Sequence, residues 1–417
     1  MNYLQLPYGR FEDVPDGFIV ATYIASGLCY ENLLHKTGLF AVGQSVGTWI
    51  PVPGISKSMV TSYQARVVSV LPVEGPGDEL SVILRVAFPA ANFGGSMTML
   101  MTSMLGNDVS TALQVRLTDL QFSPASLHAF SHPKRNIEDL RELTGVRQKR
   151  PLVLNMIKPC TGFSPEEGAE LFLQSALGGV DLIKDDELLG TTTYNSLAKR
   201  TQLYLKAANR AYETTGKHTV YLPNISGTPS QVMDNAKAIL DCGAKGCLIN
   251  YIFGGMDSLR ELSDRYGDDL FILGHYAGIS VFDGLRTGME NKVSIGLVPR
   301  ICGASGVMTM FPDFSNAKMV TDFFLTVQAQ RLPIPGLAPT TTVVGGGITP
   351  INQKLVQDHI GPDCVIGIGG AIQGHPFGTT AGAKAAMAAV QATSQGIDLE
   401  VAAKDDPNLA KAFEVWG

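Results

Sequence analysis

From about residue 150 onward the chain alternates short apolar runs with amphipathic stretches, and this rhythm leaves few folds open. The runs are VLNMIKP (153–159), DLIKDD (181–186), TVYLPNIS (219–226), GCLINYIF (246–253), LFILGHYA (270–277), SGVMTMFP (305–312), TTVVGGG (341–347) and CVIGIGG (364–370). Segments of helical period stand between most of them, such as SPEEGAELFLQSALGG and TPSQVMDNAKAILDCG. The first opens on Ser164 with Glu167 three residues on, the pattern of a capping box. Strands that are apolar almost throughout and separated by helices belong to a parallel sheet buried on both faces. Eight such units fit a closed (β/α)8 barrel, the TIM-barrel architecture, better than an open doubly wound sheet. The predicted fold class is therefore α/β, with the barrel as a carboxyl-terminal domain over 146–417.

The first 145 residues read differently. FIVATYIAS and SVILRVAFPA are strands, a helix begins near Glu31, and SYQARVVSVLPV is a further strand. They predict a separate α+β, ferredoxin-like domain over 1–145, with the boundary between the helix HPKRNIEDLRELTG and Pro151. The net charge of -6 argues against a general nucleic-acid binder, because the grip on phosphate backbones accumulates from Lys and Arg. No apolar stretch approaches the roughly 18 residues that cross a bilayer, and the amino terminus lacks a secretory pattern. A cytoplasmic protein without membrane attachment is expected. Six cysteines in 417 residues, with no CxxC pair, predict neither a disulfide scaffold nor a zinc site.

Barrel enzymes place their reacting groups at the carboxyl ends of the strands, and the polar residues of this chain gather there. The first barrel strand ends in Lys158, the second in Lys184-Asp185-Asp186-Glu187, the third in Asn224, the fifth in His275, and the seventh and eighth in glycine-rich turns. Asp186 and Glu187 can both turn toward a common point as the strand leaves its pleat, offering hard oxygen ligands to Mg²⁺. Lys184 beside three acids is either a salt-bridge partner or, after its amine combines with CO₂, an anionic carbamate ligand. Gly345-Gly346-Gly347 and Gly369-Gly370 suit backbone N–H groups that cradle a phosphate, or simply tight strand-to-helix turns. His275 reads equally as an acid or base and as a core histidine.

These residues and their order resemble the large subunit of ribulose bisphosphate carboxylase, and more specifically the RuBisCO-like proteins that share its fold without fixing CO₂. The likeness runs from GTW at 47–49 through LGN at 105–107, IKP at 157–159, GGVDLIKDDE at 178–187 and GHY at 274–276 to GGAIQGHPFG at 369–378. It implies that Lys184 is carbamylated and holds Mg²⁺ together with Asp186 and Glu187. It also implies that Lys158 moves the substrate proton, and that Gly347, Gly369 and Gly370 bind phosphate. Each active site would lie between two subunits, with Thr48, Trp49 and Asn107 completing the neighbour's site, so that a homodimer is the smallest active unit.

Departures from the carboxylase pattern narrow the expected activity. Gly43 stands where carboxylases have a glutamate, Cys160 where they have a second lysine, Tyr276 in place of an arginine, Met308 in place of a histidine and Gly345 in place of a serine. TMFPDF at 309–314 has no mobile-loop lysine. Loss of the arginine and histidine removes the grip on a second phosphate, and loss of the lysine removes the carboxylation machinery. What is expected is a Mg²⁺-dependent enzyme that forms an enediolate from a monophosphorylated keto sugar or keto sugar acid. A lysine held below its ordinary pKa would serve as base, and decarboxylation or isomerisation would follow. One alternative is the 2,3-diketo-5-methylthiopentyl-1-phosphate enolase of methionine salvage, although such enolases typically carry lysine where Asn107 stands and serine where Gly345 stands. The other is a binding protein that kept the fold and lost the chemistry.

Overall fold

The computed structural model describes residues 8–47, 50, 52–74, 79–107 and 113–417. In chain order its strands are β1 (Phe18–Leu28), β2 (Arg66–Glu74), β3 (Leu80–Pro89), β4 (Gln114–Phe122), β5 (Leu152–Met156), β6 (Leu182–Lys184) and β7 (Val220–Leu222). Then come β8 (Gly246–Asn250), β9 (Phe271–His275), β10 (Gly288–Met289), β11 (Gly306–Met310), β12 (Thr341–Gly345) and β13 (Val365–Ile368). The chain divides into two compact units. One comprises Met1–Ser131 with Gly278–Cys302 and Leu332–Ala338; the other comprises His132–Ala277, Gly303–Arg331 and Pro339–Gly417.

The first unit carries a sheet of order β10-β4-β1-β3-β2. Its four long strands pair antiparallel, and helices Leu33–Gly43 and Met97–Met104 fall in the connections expected of a ferredoxin-like βαββαβ chain. Two-residue β10 adds in parallel to the edge of β4. Arg116 on β4 bonds Glu290 at 2.6 Å and Asp283 at 2.8 Å, which ties the segment carrying β10 to the sheet.

In the second unit each of the eight apolar runs contains one strand of a parallel sheet, in the order β7-β6-β5-β13-β12-β11-β9-β8. A parallel bridge between Asn224 and Leu248 joins the two ends into a ring. The strands are apolar throughout because both faces are covered. Leu154, Leu182, Leu222, Leu248, Leu273, Val343 and Val365 fill the barrel interior, while their sequence neighbours Val153, Ile183, Tyr221, Val344 and Ile366 pack with the helix layer. Each such side chain, fully buried, contributes about 1.5–3 kcal/mol. The Ser164 capping box is present: the hydroxyl accepts from Glu167 N at 3.2 Å, and the Glu167 carboxylate accepts from Ser164 N at 2.8 Å. Among the described residues no helix is long and apolar enough to cross a membrane.

Candidate active site

A cavity of about 480 Å³ opens at the carboxyl ends of the barrel strands. Lys184, the last residue of β6, and Asp186, two residues on, line it, whereas Asp185 between them points into the helix layer. The two-residue period of the strand thus persists one step past its end. The backbone then turns, with Leu189 N donating to Asp186 O at 3.0 Å and Leu188 N to Asp186 Oδ1 at 3.1 Å, and Glu187 joins the same cavity.

Two lysines and two carboxylates face one another there. Lys158 Nζ lies 2.5 Å from Asp186 Oδ2, and Lys184 Nζ lies 3.1 Å from Glu187 Oε2. Burial pulls the Lys184 amine below the usual lysine range, against the attraction of Glu187 and Asp186. Burial acts on Lys158 in the same direction, but hydrogen bonds to Asp186 and to Cys160 Sγ at 3.0 Å outweigh it and hold its ammonium above the ordinary value. The amine held down is therefore Lys184, and the expectation of a depressed Lys158 does not hold while Asp186 is its partner. Burial by itself would raise both carboxyls; Lys158 keeps Asp186 below its ordinary value, and Lys184 does so for Glu187.

His275 ends β9 and is buried, which, together with nearby Lys184, pushes its pKa down to about 4. Its Nδ1 accepts from Ala277 N at 3.1 Å, so the neutral ring carries its proton on Nε2, 3.3 Å from Glu187 Oε2. Tyr276 stacks on the imidazole at 5.2 Å.

Across the cavity lie Gly345, Gly346, Gly347, Gly369 and Gly370. Gly346 and Gly347 take φ of 99° and 78°, a conformation that favours glycine. A Cβ on Gly345 would stand 2.6 Å from Met308 Cε, so a side chain here would have to displace the end of that methionine.

Lys158, Lys184, Asp186, Glu187, His275, Gly347, Gly369 and Gly370 thus share one cavity. Thr48 and Trp49 lie outside the described residues, and Asn107 is an exposed residue of the first unit that does not line this cavity. Reasoning from sequence missed Trp416, which reaches the cavity from the last helix, and it left Asp185 without a role. Asp185 accepts from Arg200 Nε at 3.0 Å, Tyr221 OH at 2.7 Å and Asn224 N at 2.9 Å, a buried network that anchors the strand end. His375 of the GHP turn meets Asn408 O at 3.0 Å and fixes the last helix instead of entering the site.

Among the described residues no group of three or more His, Cys, Asp or Glu is arranged to hold a metal ion. The donor set fits Mg²⁺ in another way. Two carboxylates lie beside a buried amine that burial favours in its neutral, nucleophilic form, and carbamylation of that amine would supply the third anionic oxygen ligand.

Comparison with known proteins identifies the family. The catalytic-domain model of the ribulose bisphosphate carboxylase large chain matches residues 136–416, and its N-terminal-domain model matches 16–126. A ribulose bisphosphate carboxylase-like protein of Archaeoglobus fulgidus is 34% identical over 416 residues, covering 96% of this chain and 94% of its own. A 2,3-diketo-5-methylthiopentyl-1-phosphate enolase of Bacillus licheniformis is 30% identical over 403 residues, covering 96% of this chain and 98% of its own. The crystal structure of a rubisco-like protein from Alicyclobacillus acidocaldarius matches with a TM-score of 0.87 at 30% identity, covering 96% of this chain and all of its own. The chain belongs to the ribulose bisphosphate carboxylase large-chain family, among its RuBisCO-like proteins.

Proposed function

We propose that this protein is a Mg²⁺-dependent enzyme that enolises a monophosphorylated keto sugar or keto sugar acid, with decarboxylation of the latter as the first candidate net reaction. The observation that carries the reading is the convergence of the paired carboxylates, the buried amine and a second lysine in one cavity. Lys184, Asp186 and Glu187 would hold the ion. When bound, Mg²⁺ supplies Lewis-acid stabilisation of the oxygens of an α-hydroxy ketone or diketone as charge develops on them.

The remaining work falls to the chain. In its unprotonated form the Lys184 amine adds to CO₂ and releases a proton, which turns a cationic side chain into a carboxylate-like ligand. Lys158 carries the carbon-bound proton. While paired with Asp186 it stays protonated and can only donate, so release from that carboxylate is what allows it to act as a base. His275, neutral and with Nε2–H toward Glu187, orients that carboxylate. Gly347, Gly369 and Gly370 offer amides to a single phosphate. Tyr276 and Met308 give the cavity no further cation for a second one, which disfavours carboxylation of a bisphosphate. A homodimer, in which Thr48, Trp49 and Asn107 complete the neighbour's site, belongs to this proposal.

Solvent exchange tests it. With Mg²⁺, bicarbonate and a panel of ketose monophosphates in D₂O, the α-proton should exchange. No exchange across the panel by a protein that binds Mg²⁺ would overturn the mechanism. A second reading, 2,3-diketo-5-methylthiopentyl-1-phosphate enolase, rests on the curated relatives bearing that name at 28–30% identity over nearly the whole chain. Enol formation from that diketone, with no exchange of the ketose monophosphates, would select it.

A further inference from the structure

We infer that Asn224 and Asn250 are positioning residues that hold Asp186 and Glu187 in their cation-binding arrangement; the inference rests on the metal site proposed above. Neither asparagine lines the cavity. Asn224, just past β7, donates from Nδ2 to the backbone oxygens of Asp186 at 3.3 Å and Glu187 at 3.1 Å. Asn250, the last residue of β8, donates from Nδ2 to the same Glu187 oxygen at 2.9 Å. The two amides are themselves tied together. Ser226 Oγ donates to Asn224 Oδ1 at 2.6 Å and accepts from Asn250 N at 2.8 Å. The backbone that carries the two carboxylates, although it leaves β6, is thereby suspended from the two strands that follow.

Asn250 carries the case beyond ordinary packing. Its Oδ1 is buried and finds no hydrogen-bond partner. Turning the amide over would set oxygen against oxygen at Glu187, so that carbonyl dictates the orientation and leaves the acceptor unsatisfied. An unpaired buried acceptor is unfavourable, and such local conflicts survive where geometry serves function. Partners that orient metal ligands from outside typically change metal affinity by roughly 10–100-fold when removed.

The test uses Mn²⁺ as the probe with the full chain in bicarbonate, reading free and bound ion by electron paramagnetic resonance. Asn250→Ala and Asn224→Ala should weaken Mn²⁺ binding by roughly tenfold or more. Asn235→Ala, which removes a comparable side-chain bond to Ile225 O at 3.0 Å but none to Asp186 or Glu187, should leave it unchanged. If Asn224→Ala fails to fold, Asn250→Ala and Asn250→Ser decide the matter. Unchanged affinity in the Asn250 variants, or an equal loss in Asn235→Ala, overturns the positioning role while the metal site stands. Absence of Mn²⁺ binding by the unaltered protein overturns the metal site itself, and the positioning role with it.

Discussion

Asp185 and Asp186 are adjacent in the chain, both buried and both paired with a cation, but they face opposite sides of the barrel wall. Asp185 and its partner Arg200 are both fully buried, and Tyr221 and the Asn224 amide complete the carboxylate's hydrogen bonds. Burial and the charge of Asp185 push the Tyr221 hydroxyl well above its ordinary pKa, so it stays a donor. One residue on, Asp186 faces a lysine whose side chain is 36% exposed, and Glu187 is itself 29% exposed. The difference separates two kinds of ion pair. The Asp185 pair is closed and fixed, and removing one partner strands a buried charge; each cavity pair joins one buried partner to one that is partly exposed, and in the proposed function an incoming ligand takes over as counter-charge. A single tetrapeptide therefore serves the stability of the barrel on one face and, in the proposed function, its chemistry on the other.

Substitutions on the two faces should separate these roles. The largest effect is expected at the cavity: Lys184→Ala should abolish Mg²⁺-supported proton exchange and its bicarbonate dependence, a loss of roughly a hundredfold or more, with circular dichroism unchanged. Near-normal exchange would remove Lys184 from the metal site. On the closed face, Arg200→Met should cost about 3–5 kcal/mol of stability in urea unfolding, because Asp185 is left charged and buried. A change below about 1 kcal/mol would place this pair with ordinary exposed bridges. Gly345→Ser, which sets a Cβ against the flexible end of Met308, should cost no more than about 1 kcal/mol, and Met308→Ala should remove that cost in the double variant. Additive effects would show that the two side chains do not compete for the space. The smallest effect is expected at Cys160: Cys160→Lys should yield no carboxylated product from ribulose bisphosphate under mass-spectrometric assay, since the arginine and loop-lysine positions remain altered. Detection of that product would contradict the restricted activity.

The barrel was legible because burial on both faces writes each strand as a continuous apolar run, and all eight runs contain strands. The first unit was less so. β4 was missed because polar Arg116, Thr118 and Asp119 interrupt its pattern and its pairing with β1 shifts register at Thr22/Tyr23, while two-residue β10 is too short to leave any signal. The cavity residues were readable from their places at strand ends. The split between Asp185 and Asp186 was not, since it is decided by Arg200 on a later helix and Tyr221 on the next strand. Nor could any local pattern bring Trp416 to the cavity, since it arrives with the last helix. The pairing of Lys158 with Asp186, which reverses its expected shift, depends on the distance between two strand ends that spacing alone does not give.

Uptake of CO₂ by the buried Lys184 amine, which burial holds below the usual lysine range, is the step on which the proposed cation site depends. It is tested most directly by carbon-13 NMR of the protein equilibrated with labelled bicarbonate and Mg²⁺. One carbamate resonance per chain is expected, strengthened by Mg²⁺ and absent from Lys184→Ala. No such resonance, or one that persists in Lys184→Ala, would contradict it.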